Sequence, residues 1–248
     1  NLTEAIKDSC NVYFYNAGSL LGIKNLAKYS NMLGLGQYTG IDIPNEKNGL
    51  VPSPEWKMNE LNEPWFDGDT YNTSIGQGFT LVTVLQMNTI TALIANRGYN
   101  YTPHLLKKII DSKTGETVFQ YDKKILHSVD FDPSTWDLIQ NAMKLVVEEG
   151  TAWYGAVTSE APIAGKTGTA QNSSGEDHSW FTAYGPVDNP RYAITVMLEN
   201  AGYGASHAAP VVAALFDIIL GEKTIEEVLH NIERARYKKY LKMKSKGI

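Results

Sequence analysis

"IAGKTGTAQNSS", Ile163 to Ser174, sets one lysine between two glycines, adds two threonines, and carries few bulky side chains. The closing letters of a nucleotide-binding P-loop, "GKT", are here, so phosphate binding is the first reading to test. A P-loop needs glycine five positions before Gly165, where the backbone turns around phosphate, and that position is Glu160. "GLGQYTG" fails as a dinucleotide fingerprint for a similar reason, since its third glycine, Gly40, falls one residue late. As a strand, the segment reads differently. Gly165 and Gly168 admit a close approach by another backbone or a ligand, Lys166 offers a fixed positive charge, and Thr167 and Thr169 put two hydroxyls on one face. An edge strand of this kind suits a carboxylate, and its amides suit a peptide added as a further strand. The plainer alternative, a glycine-rich strand with a surface lysine, stays open on these residues alone.

The remaining chain sets the class. It has 248 residues, a formal net charge of −5 and one cysteine, Cys10. That length holds one large domain or two small ones, the charge offers no footprint for nucleic acid, and a single cysteine excludes an intrachain disulfide. No run reaches the eighteen apolar residues of a membrane span; Ala208 to Leu220 is shorter and contains Asp217. The opening "NLTEAIKDSCNVYFYNAG" has no initiator Met, does not resemble a signal peptide, and reads as a cut end already inside a helix, with Asn1 and Glu4 in part of a capping-box pattern.

Helix-period spacing over residues 1–36, broken by Gly18, Gly22, Gly34 and Gly36, predicts a helical subdomain. Gly40 to Asp69 reads as loop, with Pro44, Pro52, Pro54 and Pro64, tied down by Trp56, Trp65 and Phe66. Ser74 to Gly98 reads as a glycine turn and a helix, and Gly76, Gln77 and Gly78 as a structural turn rather than a phosphate cradle. "HLLKKIIDSKTGETVFQY" reads as two strands turning at Thr114 and Gly115, and Asp132 with Pro133 opens a helix that Gly150 closes. "SWFTAYGPV" and "RYAITVMLENA" read as a hairpin joined through Asp188, Asn189 and Pro190, and Ala208 to Leu220 as a buried helix. The class is therefore α+β, an antiparallel sheet flanked by helices with an all-α part, spanning 1–221. Residues 222–248 read as a basic helical tail, with seven basic residues and no acid from Arg234 to Lys246; a solvated face is the plain reading, acidic lipid or a partner the sharper one.

Ser9 and Asn11, two apart in "DSCNVYF", are worth little alone, because Ser-x-Asn is common and often only a helix cap. With Lys166-Thr167-Gly168-Thr169 they resemble the second and third motifs of the serine penicillin-binding protein and β-lactamase superfamily. Four longer strings resemble class B penicillin-binding proteins of the cell-elongation type over about residues 1–220: "LGLGQYTGIDIPNEKNGLVPSPEWK", "WFDGDTYNTSIGQGFTLVTVLQM", "AGKTGTAQ" and "HSWFTAYGPVDNPRYAITVMLENAG".

The resemblance implies a D,D-transpeptidase that takes the acyl group of a D-Ala-D-Ala stem peptide onto a serine, passes it to an amine on another stem, and binds β-lactam antibiotics. It assigns Ser9 to the proton relay, Asn11 to the substrate backbone, Lys166 to electrostatic support, Thr167 and Thr169 to the terminal carboxylate, and the Thr169 N–H to one half of an oxyanion hole. Gly165 and Gly168 join them as substrate-binding positions. The family's Ser-x-x-Lys motif is missing: the residue three before Lys7 is Glu4, before Lys24 Leu21, before Lys166 Ile163, and no other lysine does better.

The nucleophile, its lysine base, a membrane anchor and the first strands of the sheet are therefore expected in an upstream segment. The sheet is expected to be incomplete at its N-terminal side, and this chain alone to be inactive. Placement on the extracytoplasmic face of the inner membrane, beside a membrane glycosyltransferase of the elongation machinery, follows from the resemblance alone. So do two alternatives that share the motifs: a noncatalytic β-lactam sensor or stem-peptide-binding pseudoenzyme, and a β-lactamase or D,D-carboxypeptidase. No cofactor is required. Cys10 reads as a small buried side chain; the resemblance adds zinc ligation as the lesser reading, with its partner ligands expected upstream because the chain shows no Cys/His cluster of ligand spacing, and His178 reads as a turn residue near the cleft mouth rather than a base.

Overall fold

The computed structural model describes residues 1–172, 175–221, 223–228 and the separate positions 230, 233, 234, 237, 238 and 241. Most of the basic tail expected beyond residue 221 lies outside the described residues.

The chain opens with α1 (Leu2–Lys7), α2 (Asn11–Leu21) and α3 (Ile23–Met32). Asn1 caps α1, its Oδ1 accepting from the Glu4 N–H at 2.9 Å. Gly22, at φ +76°, separates α2 from α3 as its spacing suggested. Gly18 does not break the chain but sits inside α2, because a Cβ there would lie 1.7 Å from Ser74 Oγ, where a later helix crosses.

The segment read as loop from Gly40 to Asp69 holds one helix and the start of another, α4 (Pro54–Leu61) and α5 (Asp67–Ser74). The signals were local. Ser53 Oγ accepts from the Trp56 N–H at 3.1 Å with Pro54 at the first turn, and Asp69 Oδ2 accepts from the Phe66 N–H at 2.8 Å. A buried charge then ties the two helices together. Lys57 Nζ, 3% exposed as a residue, lies 2.7 Å from Asp69 Oδ2 and 3.7 Å from Glu63, over the rings of Phe66 and Phe79. Burial pushes the Asp69 carboxyl upward, but hydrogen bonds from Lys57 and the Phe66 N–H outweigh it and hold the carboxyl below its ordinary value.

After α6 (Val84–Ala95), β1 (Tyr99–Tyr101) pairs antiparallel with β4 (Ile125–Ser128), and between them β2 (Lys108–Ile110) and β3 (Thr117–Gln120) form the expected hairpin. Next comes α7 (Pro133–Glu148), capped by Asp132, whose Oδ1 accepts from the Ser134 N–H. The central sheet is an antiparallel meander in the order β5 (Ala164–Ala170), β6 (His178–Gly185), β7 (Tyr192–Leu198), and α8 (Ala208–Gly221) follows it.

The sheet has two packed faces. Phe181 and Ala183 join Val146, Ile163, Ala209, Val212 and Phe216 in a core against α8 and the end of α7. On the other face α6 meets the sheet through hydroxyls, with Thr91 Oγ1 2.5 Å from Thr182 Oγ1 and Thr182 Oγ1 2.6 Å from Thr195 Oγ1. Gly165 lets the strands close on that core, since a Cβ there would stand 2.6 Å from both Phe181 Cζ and the Thr182 carbonyl. The fully buried Asp217 of α8 accepts from the Ser159 and Glu160 N–H groups, anchoring the turn that feeds β5. Among the described residues no helix is long and apolar enough to cross a membrane.

Candidate functional site

In the sheet β5 is an edge strand, and its free edge faces the helical part of the chain across a cleft of about 690 Å³. Ser9, Asn11 and Phe14 line one wall, Ser74, Ile75 and Gln77 another, and Lys166 to Thr169 the strand side. Two short motifs 157 positions apart therefore share one surface, and they touch: Lys166 Nζ donates to Ser9 Oγ at 2.9 Å.

Ser9 stands just past the end of α1 with φ +54°, a left-handed conformation that non-glycine residues seldom adopt. Its N–H donates to the Ile6 carbonyl and that of Cys10 to Ala5, closing α1 and turning the chain sharply into α2. The strain falls where the side chain must project toward Lys166, the placement expected of a functional residue. Asn11 begins α2 two residues further on. Cys10 is not the buried side chain that the sequence suggested. It is exposed, because it occupies the extended N-cap of α2 at the junction of two helices. Among the described residues no group of three or more His, Cys, Asp or Glu side chains is arranged to hold a metal ion.

Lys166 Nζ also donates to the Thr167 carbonyl at 3.0 Å and lies 3.5 Å from Thr167 Oγ1. Among the described residues it has no carboxylate partner. Burial therefore acts on the amine with little opposition and pushes its pKa down to about 8 from an ordinary 10.5. By strand alternation Lys166 and Thr167 leave opposite faces; the long lysine side chain reaches the Thr167 carbonyl because, among the described residues, no strand pairs with that edge of β5.

The backbone of β5 shows which groups face the cleft. The Thr167 carbonyl accepts from Lys166, and the Thr169 carbonyl accepts from Gln77 Nε2 at 3.1 Å, so both point away from β6. A strand residue sends its N–H and C=O to the same side, so the Thr167 and Thr169 amides also face the cleft. The side chains add hydroxyls. Thr167 Oγ1 lies 2.7 Å from Thr151 Oγ1, and Thr169 Oγ1 accepts from the Gly204 N–H at 3.4 Å. The strand thus offers two amides, two hydroxyls and a cation to one small region, a set that complements a carboxylate or a developing oxyanion.

Gln77 was read as part of a structural turn. Gly76 and Gly78 do form one, with φ +74° and +70°, but Gln77 between them also reaches the edge strand and lines the cleft. Ser74, Thr151, Tyr203 and Gly204 were not singled out at all; they come from three separate places, the end of α5, the turn after α7 and the β7–α8 connection, and their only sequence signal was a glycine or hydroxyl beside a predicted break. His178 begins β6, where its Nδ1 accepts from the Asn200 N–H at 3.1 Å, and it is not among the cleft-lining residues.

Residues 1–217 match the family model described as the penicillin binding protein transpeptidase domain. The chain belongs to that family. Among curated proteins, the peptidoglycan D,D-transpeptidase MrdA of Haemophilus influenzae is 34% identical over 267 residues, which covers 100% of this chain and 40% of that protein. MrdA of Acinetobacter baumannii is 37% identical over 233 residues, 88% of this chain and 34% of that protein. Among solved structures, Pseudomonas aeruginosa PBP2 in complex with WCK 5153 shares 38% identity at a TM-score of 0.79, over 89% of this chain and 47% of its own. PBP2 of Helicobacter pylori, solved in complex with MreC, shares 33% identity at a TM-score of 0.74, over 88% of this chain and 40% of its own. The fold is that of penicillin-binding protein transpeptidase domains, and the chain spans two fifths or less of the length of these curated relatives.

Proposed function

We propose that this chain supplies the peptide-docking strand and the proton relay of a peptidoglycan D,D-transpeptidase. The observation that carries the reading is the 2.9 Å contact between Lys166 Nζ and Ser9 Oγ, which joins two separate motifs at the edge of β5. The donor peptide lies along that edge with its terminal carboxylate on the Thr167 and Thr169 hydroxyls and its scissile carbonyl at the Thr169 N–H. Asn11 holds the substrate backbone. A serine of a Ser-x-x-Lys motif, absent from these 248 residues, attacks the carbonyl, and the amine of the departing D-Ala takes its proton through Ser9. In the second half of the reaction the incoming amine of another stem gives up a proton by the same route. A lysine that burial pushes down to about 8 suits this work, because its amine can be held with or without its proton near neutral pH while it donates to Ser9.

The reading needs no cofactor, and it places the whole protein at the extracytoplasmic side of the bacterial envelope, where β-lactams would enter the same cleft. The relative solved with MreC supports a partner from the wall-building machinery. So does a second relative, at 33% identity and a TM-score of 0.77, solved in a study of how a peptidoglycan synthase complex coordinates polymerization and crosslinking. Fluorescent penicillin tests the reading. The whole protein should be labelled covalently, and residues 1–248 alone should not, since they hold no nucleophile of the required motif. Covalent labelling of the isolated chain would overturn the division of labour.

A further inference from the structure

Thr151 belongs to neither motif, yet it touches both sides of the cleft. It follows the end of α7, where Gly150 is pressed so closely on α1 that a Cβ would lie 2.4 Å from the Lys7 carbonyl. The Thr151 N–H donates to that same carbonyl at 3.2 Å, two residues before Ser9. On the other side, Thr151 Oγ1 lies 2.7 Å from Thr167 Oγ1 on β5. One residue thus ties the backbone that presents Ser9 to the hydroxyl that Lys166 approaches.

We infer that Thr151 is a positioning residue that makes the Thr167 hydroxyl a donor into the cleft and so sets the preference of the site for a carboxylate-ended ligand. This rests on the peptide-docking reading above. A hydroxyl has one hydrogen to donate and two lone pairs to accept with. Thr167 Oγ1 stands 2.7 Å from the Thr151 hydroxyl and 3.5 Å from Lys166 Nζ, and Lys166 Nζ, as an ammonium, can only donate. Either hydroxyl of the pair can donate; in the arrangement inferred Thr151 is the donor, so both lone pairs of Thr167 are engaged and its hydrogen turns to the remaining open direction, the cleft. Donation through a chain of this kind also strengthens the last hydrogen bond, which a carboxylate receives best. A C-terminal amide gains less, because it lacks the charge and presents N–H donors of its own.

The test titrates the whole protein with a stem peptide ending in D-Ala-D-Ala and with its C-terminal amide. Thr151→Val keeps the shape and removes the hydroxyl; it should weaken the carboxylate peptide roughly three- to tenfold, the value of one hydrogen bond, and leave the amide unchanged. Thr151→Ser should restore wild-type discrimination. The double variant Thr151→Val with Thr167→Val should be no weaker than Thr167→Val alone, because both act through one hydroxyl. Equal losses for acid and amide in Thr151→Val, a fully additive double variant, or no rescue by Thr151→Ser would overturn the inference. If Thr167→Val itself leaves discrimination intact, the carboxylate-docking reading fails first, and the two failures are thereby told apart.

Discussion

Two lysines leave water in this fold and meet opposite surroundings. Lys57, between α4 and α5, has carboxylates at 2.7 and 3.7 Å and two aromatic rings around it. Lys166, on the edge of β5, has hydroxyls and a carbonyl but no carboxylate among the described residues. Burying an amine is costly unless its charge is compensated. At Lys57 compensation makes the charge a fastener, joining two helices whose far end carries Ser74 and leads into Gln77. At Lys166 the cost is left standing as a depressed pKa, and the amine stays free to meet an anion or trade a proton. Pairing separates a charge that holds the molecule together from one left without a carboxylate beside a cleft.

Three changes would break or sharpen that contrast. The largest effect is expected from Lys166→Ala in the whole protein, where acylation by fluorescent penicillin should fall by about 10²- to 10³-fold, the usual loss for a preorganised electrostatic group, with the thermal midpoint unchanged or raised. Labelling at the wild-type rate would end the functional half of the comparison. Next is Asp69→Ala, which leaves Lys57 buried against only the more distant Glu63. It should cost about 3 kcal/mol or more in urea unfolding, whereas replacing both partners with apolar residues of similar volume should cost far less. A loss under about 1 kcal/mol for the single change would mean that Lys57 is no better anchored than Lys166.

The smallest effect concerns pH. Because burial holds the folded Lys166 near 8 while the unfolded side chain titrates near 10.5, the unfolded chain binds more protons across that window. Stability from this residue therefore rises with pH between about 8 and 10.5, and the penalty is full below 8. Lys166→Met should stabilise the chain at pH 7 by roughly 1–2 kcal/mol, and this advantage should vanish by pH 10.5. The difference in urea midpoints between wild type and variant, followed from pH 7 to 10.5, checks it; a constant difference would mean the amine is not desolvated. Asp69 shifts stability in the same sense but in an acidic window: its folded pKa is also lowered, so its contribution is present above the carboxylate range and is lost as pH falls through it.

Legibility varied from place to place for physical reasons. Helices α6 and α7, the β6–β7 hairpin and α8 were readable because each carries its own period and stop signals, such as Asp132 with Pro133 or Asp188 to Pro190. α4 and α5 were missed. Prolines around them argued for loop and outweighed the short cap signals at Ser53 and Asp69, while the contact that ties the two helices together, between Lys57 and Asp69, spans twelve residues and is not announced by those caps. The expectation that Cys10 is buried failed because residue type speaks only for averages, while the α1–α2 junction turns this side chain outward.

By itself, the sequence determined which residue types stand at the site: Lys166, Thr167 and Thr169 on one strand, with glycines where backbones must approach, and Ser9 and Asn11 at a helix boundary. Only the tertiary structure decided that these two sets form one surface, that β5 is the edge strand, and that Gln77 and Thr151 complete the cleft. Spacing and periodicity are local properties. A contact between Lys166 and Ser9, or a lysine left without a carboxylate, depends on how distant segments pack, and that is settled by the whole fold.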